Sequence, residues 1–364
     1  MTLTLILFLM ATVWVIAFCI LPNAPYIRHW TNAVFPLAAL TVVNTMVAAT
    51  GNFDVVDKGR YALEFESLSF TPFSDVLHDF VSTGREPAFL LFMWLTGMFT
   101  HEPMAFFVVT ALVCNLALIG ALWLLLGTGW KTAVVFYITF CFGFFIDYSS
   151  FLLRQGLSMA CLMLAVALVM RSSSPVKIIL LLAAGVCFHW SALAPAIVIL
   201  LVRFLRLRTG LLLGLWAVLS LTYFTGLNAR LADPLGSSIE QVENYANPDL
   251  AVNYVGGTNR PIFWLLSAVP LLVAYPAVKL ARSLPSWYGR LLNAYILLNC
   301  YYLLLGFVYF SDRLAAYSWS LIPTLISVPF LTYQGRGGSI IRAGLLGGFV
   351  AWGFYFGSFG VLSA

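Results

Sequence analysis

Apolar runs long enough to cross a bilayer recur along almost the whole chain. A spanning helix needs about 20 consecutive apolar residues, because each residue advances only 1.5 Å through about 30 Å of hydrocarbon. Such runs lie at 2–21, 33–50, 103–126, 131–147, 154–170, 210–226, 261–281, 288–310, 314–332 and 338–360. Two further segments fit less well. Residues 86–100 are short for a crossing, and 176–202 is long enough but is interrupted by Phe188-His189-Trp190-Ser191. The pattern predicts an all-α polytopic integral membrane protein forming one domain over 1–364. It has about ten full transmembrane helices, two re-entrant or broken segments and two sizeable loops. Composition excludes the other classes. Only 9% of the residues are charged, against about 25% in soluble domains. So few charges cannot coat a soluble enzyme or form the basic face of a nucleic-acid binder. The six cysteines stand singly in apolar runs with no metal-ligand spacing. The first span itself is expected to act as the insertion signal.

Basic residues orient such a chain, since Lys and Arg accumulate on the cytoplasmic side. If both awkward segments dip in and return, the inner loops collect twelve of the 19 basic residues, and all 14 acidic residues fall outside or at the outer face. If both cross, the inner count drops to about ten. The re-entrant arrangement is preferred on a second ground. It puts Arg85, Arg154 and Arg313 on the outer side, with His189 at the tip of a dip reaching toward them. Non-helical backbone at membrane depth is tolerated where it is buried in protein or lines a wet cavity.

The outer loops are then 51–85 and 227–260. In the first, Thr71-Pro72 reads as an N-cap with proline at the first helical position. Phe73, Val76, Leu77, Phe80 and Val81 follow helical spacing, and Gly84 supplies a stop. A short amphipathic helix lying in the membrane interface is expected at about 72–82. Its polar face carries Asp75, His78 and Asp79, at a spacing that a divalent metal could use. A solvated face with an acid in the first turn is the preferred reading, so no metal is assigned. In the second loop, Ser237-x-x-Glu240 fits a capping box, and Ile239, Val242 and Tyr245 form a short apolar stripe.

Ionisable residues beside membrane spans are costly and mark functional sites. Four places stand out: Gly84-Arg85-Glu86-Pro87; Arg154-Gln155-Gly156, just after Asp147-Tyr148; Phe188-His189-Trp190-Ser191-Ala192-Leu193; and Ser311-Asp312-Arg313, with Tyr317 one turn on. Each has a structural alternative. Glu86 is then a helix N-terminal acid, Arg154 a snorkelling side chain, His189 a satisfied interior histidine and Asp312-Arg313 a loop ion pair. Together on one face they point to an outward cavity holding cations and a proton-transferring group. Arginine suits a diphosphate, since its planar fork makes bidentate charge-assisted hydrogen bonds. A histidine could donate to that diphosphate or take a proton from a nucleophile.

At these residues the chain resembles a known family. Glu86-Pro87-Ala88-Phe89-Leu90-Leu91 resembles the E-P-G-F/Y-x-L segment of the EpsG-type family, which belongs with the Wzy-like polymerases of bacterial polysaccharides. Arg154-Gln155-Gly156-Leu157-Ser158-Met159-Ala160 is similar to its R-Q-x-x-A block. Phe188 to Leu193 is similar to F-H-x-S-A-L, and Asp312-Arg313-Leu314-Ala315-Ala316-Tyr317 to R-(I/L)-x-x-Y. The order and spacing hold over roughly residues 50–330, with Ala88 departing from the glycine that is common there. The resemblance implies a glycosyltransferase in the bacterial inner membrane with its active site facing the periplasm. It would polymerise undecaprenyl-diphosphate-linked oligosaccharide repeat units into a polysaccharide such as O-antigen or exopolysaccharide. The growing chain would pass from one lipid carrier to a hydroxyl of the next unit, with no nucleotide sugar, no cofactor and no metal. Its partners would be the lipid-linked donor and acceptor, the bilayer and a chain-length regulator. Arg154, Arg313 and Arg85 are then the candidates for stabilising the leaving diphosphate, and His189 for the diphosphate or proton transfer. Glu86 stands first as the base, with Asp312 and Asp79 behind it. Gln155, Tyr317 and His78 complete the substrate-binding set. The alternative is a transporter flipping a lipid-linked sugar, which also needs a cationic cavity and broken helices. It predicts an inverted repeat, which the sequence does not show.

Overall fold

The computed structural model describes residues 3–22, 30–50, 56–205, 207–236, 257–281 and 283–356, and these are helical with no strand among them. The helices run in chain order as α1 (Leu3–Ile20), α2 (Trp30–Thr50), α3 (Val56–Ser69), α4 (Phe73–Thr83), α5 (Pro87–Gly97), α6 (Pro103–Leu126), α7 (Trp130–Phe142), α8 (Phe144–Ser150), α9 (Leu153–Met170) and α10 (Pro175–Phe188). A single 3₁₀ turn follows at Trp190–Ala192. Then come α11 (Leu193–Phe204), α12 (Thr209–Thr225), α13 (Leu227–Gly236), α14 (Pro261–Leu280), α15 (Tyr288–Leu304), α16 (Ser311–Trp319), α17 (Ile322–Thr332) and α18 (Gly338–Tyr355). The expected capping box at Ser237 and the stripe through Ile239, Val242 and Tyr245 lie outside the described residues.

Among the described residues, six helical stretches are long and apolar enough to cross a membrane: α1, α2, α6, α9, α14 and the run Ser311–Thr332 formed by α16 and α17. A seventh is the pair α7 and α8. The sequence reads 131–147 as one full span, and in the structure the corresponding pair bends by 78° at Gly143. α12 and α15, at 17 residues each, and α18 fall outside that set. α15 spends its length on Asn293, Asn299 and four tyrosines, and α18 carries Arg342 and several glycines, which lowers their apolar content. The two awkward segments are indeed short or broken. α5 is an 11-residue helix. α10 stops at His189, whose backbone is extended (φ −160°, ψ 120°).

The chain divides into two compact units, residues 1–192 with 333–364, and residues 193–332. In the first unit, α9 packs along α6 and α10, while α1, α7 and α18 form a second group. In lipid, helices gain no hydrophobic drive from meeting one another, so close packing and interhelical hydrogen bonds hold them. Asn44 of α2 donates to Ser149 of α8 at 2.9 Å, and the hydroxyls of Thr12 and Tyr137 meet at 2.8 Å. The tightest approach is at Gly156, where a Cβ would collide with the backbone carbonyl of Tyr148. Only glycine lets the start of α9 lie against the end of α8. The first outer loop of the sequence reading, 51–85, holds more structure than expected. Beside α4 it forms α3, whose Lys58, Tyr61, Phe65 and Leu68 are buried. Phe65 stacks on Phe106 at 4.8 Å in an aromatic core that also takes in Phe89 and Phe107. α4 starts one residue later than expected and without the predicted cap, because the Thr71 hydroxyl donates back to Ser67. Gly84 ends it in the left-handed conformation (φ 66°), its amide donating to Phe80.

In the second unit, α15 is the central element, packed by α11, α12, α14 and α16. Its polar side chains are satisfied internally, as an apolar surrounding requires. Trp216 donates to Asn299 at 2.7 Å, and Asn299 donates to Ser318 at 3.2 Å. Nearby, Trp319 donates to Ser267 at 2.9 Å.

Candidate active site

Three of the residues singled out by the sequence meet in the first unit. Glu86 occupies the N-cap position of α5, but its carboxylate does not cap the helix. Instead Oε2 accepts from Nη1 of Arg154 at 3.0 Å, and Oε1 lies 2.9 Å from Nδ1 of His189. The helix-terminal and snorkelling alternatives are therefore not what these side chains do. Chain geometry makes the meeting possible. Pro87 fixes the start of α5 and leaves Glu86 extended. The close contact at Gly156 sets the first turn of α9, which carries Arg154. The extended backbone at the end of α10 turns the His189 ring toward the carboxylate. Glu86 is buried and its two partners are partly buried.

The carboxylate carries the electrostatic signature of this arrangement. Glu86 precedes α5 and lies outside the spanning helices. Burial alone would raise its pKa, but the His189 hydrogen bond and then the Arg154 charge outweigh that, holding it down to about 2. An ionised carboxylate can only accept, so Nδ1 of His189 is the donor. Nε2 is left as the ring atom that can take up or release a proton, and no hydrogen bond to it is found among the described residues.

The depressed pKa has a consequence for stability. An unfolded glutamate titrates near about 4.3. The stabilisation from Glu86 is therefore fully present above that value and is lost as the pH falls from about 4 toward about 2. Thermal unfolding of the chain and of Glu86→Gln across that range is expected to show the two converging in acid. A gap that persists at pH 2 would mean that the ion pairs are not its source.

Two residues outside the sequence-derived set complete the arrangement. Tyr61 of α3 accepts from Nε of Arg154 at 3.1 Å, and its ring lies 5.6 Å from the guanidinium carbon. Arg154 is thus held on one side by a phenol and on the other by a carboxylate, leaving the rest of its fork for a ligand. Lys58, one turn earlier, donates to the Ala48 carbonyl at 2.6 Å and sits 4.8 Å from the Phe107 ring. It caps the end of α2 and ties α3, hence Tyr61, to it. Burial lowers its pKa to about 8. The signal that could have revealed α3 is the helical spacing of Lys58, Tyr61, Phe65 and Leu68.

Arg85 lies beside this group but is committed elsewhere, pairing with Glu64 and, at 3.2 Å, with Asp79. Its pKa is lowered by burial first and then by the charge of Arg154. Gln155 is buried next to Arg154. His78 and Asp75 on α4 are exposed, and among the described residues no three His, Cys, Asp or Glu side chains gather closely enough to hold a metal. Asp312, Arg313 and Tyr317 belong to the second unit, in α16. There Phe310 adopts a left-handed conformation (φ 56°), a strain of about 1–3 kcal/mol for a bulky residue. Its ring lies 4.8 Å from the Arg313 guanidinium, and Tyr317 is buried.

These features define a membrane-embedded, all-helical protein in which an Arg–Glu–His linkage is assembled from three separate helix ends. The model of the EpsG family matches residues 35–359, and the chain belongs to that family. Membership supports a role of the polysaccharide-polymerase type. No curated protein and no solved structure matches the chain.

Proposed function

We propose that the chain is a glycosyltransferase that polymerises undecaprenyl-diphosphate-linked oligosaccharide repeat units on the periplasmic side of the inner membrane. The reading uses the ten-span topology with both termini outside. The observation that carries it is the Glu86–Arg154–His189 linkage. The acceptor hydroxyl attacks C1 of the donor sugar, the C1–O bond to the diphosphate breaks, and the hydroxyl proton passes to Nε2 of His189. The leaving undecaprenyl diphosphate carries the negative charge away. Arg154 stabilises that charge as it develops, through the N–H groups that Glu86 and Tyr61 leave over. Glu86, named first as the base from sequence, is taken on both oxygens and too acidic for that task. Its role here is to hold Nδ1–H of His189 and to stabilise the imidazolium, the division of labour found in catalytic triads.

The test is reconstitution. Purified full-length chain, given synthetic undecaprenyl-diphosphate-linked repeat units in EDTA and no nucleotide sugar, is expected to yield a ladder of polymers resolved on a gel. Strict dependence on a nucleotide sugar or a divalent ion would sink the mechanism.

A further inference from the structure

The second unit contains a cavity of about 440 Å³ between the end of α11 and the starts of α12 and α15, and two arginines line it. Arg203 stands one residue before the end of α11, and Arg290 is the third residue of α15. Nε of Arg203 is fully buried, and no acceptor for it is found among the described residues. That is unusual for a guanidinium, whose buried donors are costly when unmet. The positive-inside tendency accounts for basic residues at such a helix end. It does not account for an arginine turned inward with a donor unmet. Among the described residues the rest of the lining is apolar apart from Asn293, and none of it is acidic. Asn293 is already occupied, accepting from the Thr209 hydroxyl at 2.8 Å and donating to the Leu207 carbonyl at 3.0 Å. It braces the wall, and the cations of the lining are Arg203, with its unmet Nε, and Arg290. The start of α15 adds the positive end of a helix dipole.

We propose that this cavity binds a phosphate ester, with Arg203 and Arg290 forking onto the phosphate oxygens and the apolar wall taking the rest of the ligand. Two planar forks match a tetrahedral oxyanion with several acceptors. The volume exceeds that of a bare phosphate and leaves room for an attached group. A phospholipid headgroup and a soluble phosphate metabolite share this chemistry. The site shares no residue with Glu86, Arg154 or His189, and it does not depend on the reaction assigned to them.

The test uses the purified full-length chain in detergent. Dioctanoyl phosphatidylglycerol is titrated against dioctanoylglycerol by native mass spectrometry, and glycerol 3-phosphate and inorganic phosphate are titrated in parallel. Preferential binding of the phosphatidylglycerol with no binding of the soluble probes assigns a lipid headgroup. Binding of the soluble probes assigns a metabolite. Arg203→Gln and Arg290→Gln are each expected to weaken the bound probe about tenfold, as loss of a charge-assisted hydrogen bond predicts. Arg171→Gln, which removes an exposed charge at the end of α9, should leave binding unchanged. Arg203→Lys keeps the charge and the stem, so it tests the site if the glutamine variants misfold; an intermediate loss is expected. Binding of none of the phosphate probes, binding equal in the glutamine or lysine variants, or an equal loss in Arg171→Gln would each overturn the proposal.

Discussion

His189→Gln is expected to lower polymerisation by about 10²–10⁴-fold, the range that a positioned general base contributes. It should be nearly as damaging as His189→Ala. Glutamine can still present an amide N–H to Glu86 Oε1, so it preserves much of what the ring does structurally at 2.9 Å. It cannot accept a proton as imidazole Nε2 does. The pair of variants therefore separates holding from proton transfer. A rate assay with the purified chain and lipid-linked repeat units measures it. If His189→Gln retains activity within a few-fold while His189→Ala is dead, the residue only braces Glu86 and another group takes the proton.

The residues that meet at Glu86 are legible in the sequence because polar residues are so rare in this chain. Glu86, Arg154 and His189 stood out as charges beside spans, and each lies at a helix end that the sequence also marks. Pro87 follows Glu86, Gly156 follows Arg154, and the break in 176–202 falls at His189. Their mutual contact was less readable. They are separated by 68 and 103 positions from Glu86, and only the packing of α5, α9 and α10 joins them. Glu86 stands first as the base on its position beside a span alone; that Arg154 and His189 take up both of its oxygens is visible only once the helices are packed. Tyr61 was invisible for the opposite reason. In a chain that is 16% aromatic, one more tyrosine reads as packing, and its helix sits in a stretch too polar to register as a span. The fold followed the same division. Long apolar helices were legible from length alone, whereas the 78° bend at Gly143 depends on how α8 meets α2 and α9.

Arg154→Lys is expected to cost about 10²–10³-fold in rate, as removal of one preorganised donor at a developing oxyanion does, while the protein remains folded. Lysine keeps the positive charge near Glu86, so the buried carboxylate is still paired. It is a point charge, however, and cannot reach Glu86 and Tyr61 at once while offering further N–H groups to a diphosphate. Arg154→Ala goes further and strands the Glu86 carboxylate, whose side chain is only 9% exposed. Breaking such a pair costs about 3–5 kcal/mol when both partners are fully buried. Arg154 is 27% exposed, so the loss here should be smaller. The double variant Glu86→Gln with Arg154→Ala removes the stranded charge. It should recover the melting temperature that Arg154→Ala loses without recovering polymerisation. Stability and catalysis thereby come apart at the same two residues. Thermal unfolding and polymer ladders measured on the same preparations decide the matter. Wild-type rates in Arg154→Lys would show that charge alone suffices and that the planar fork is not what the reaction uses.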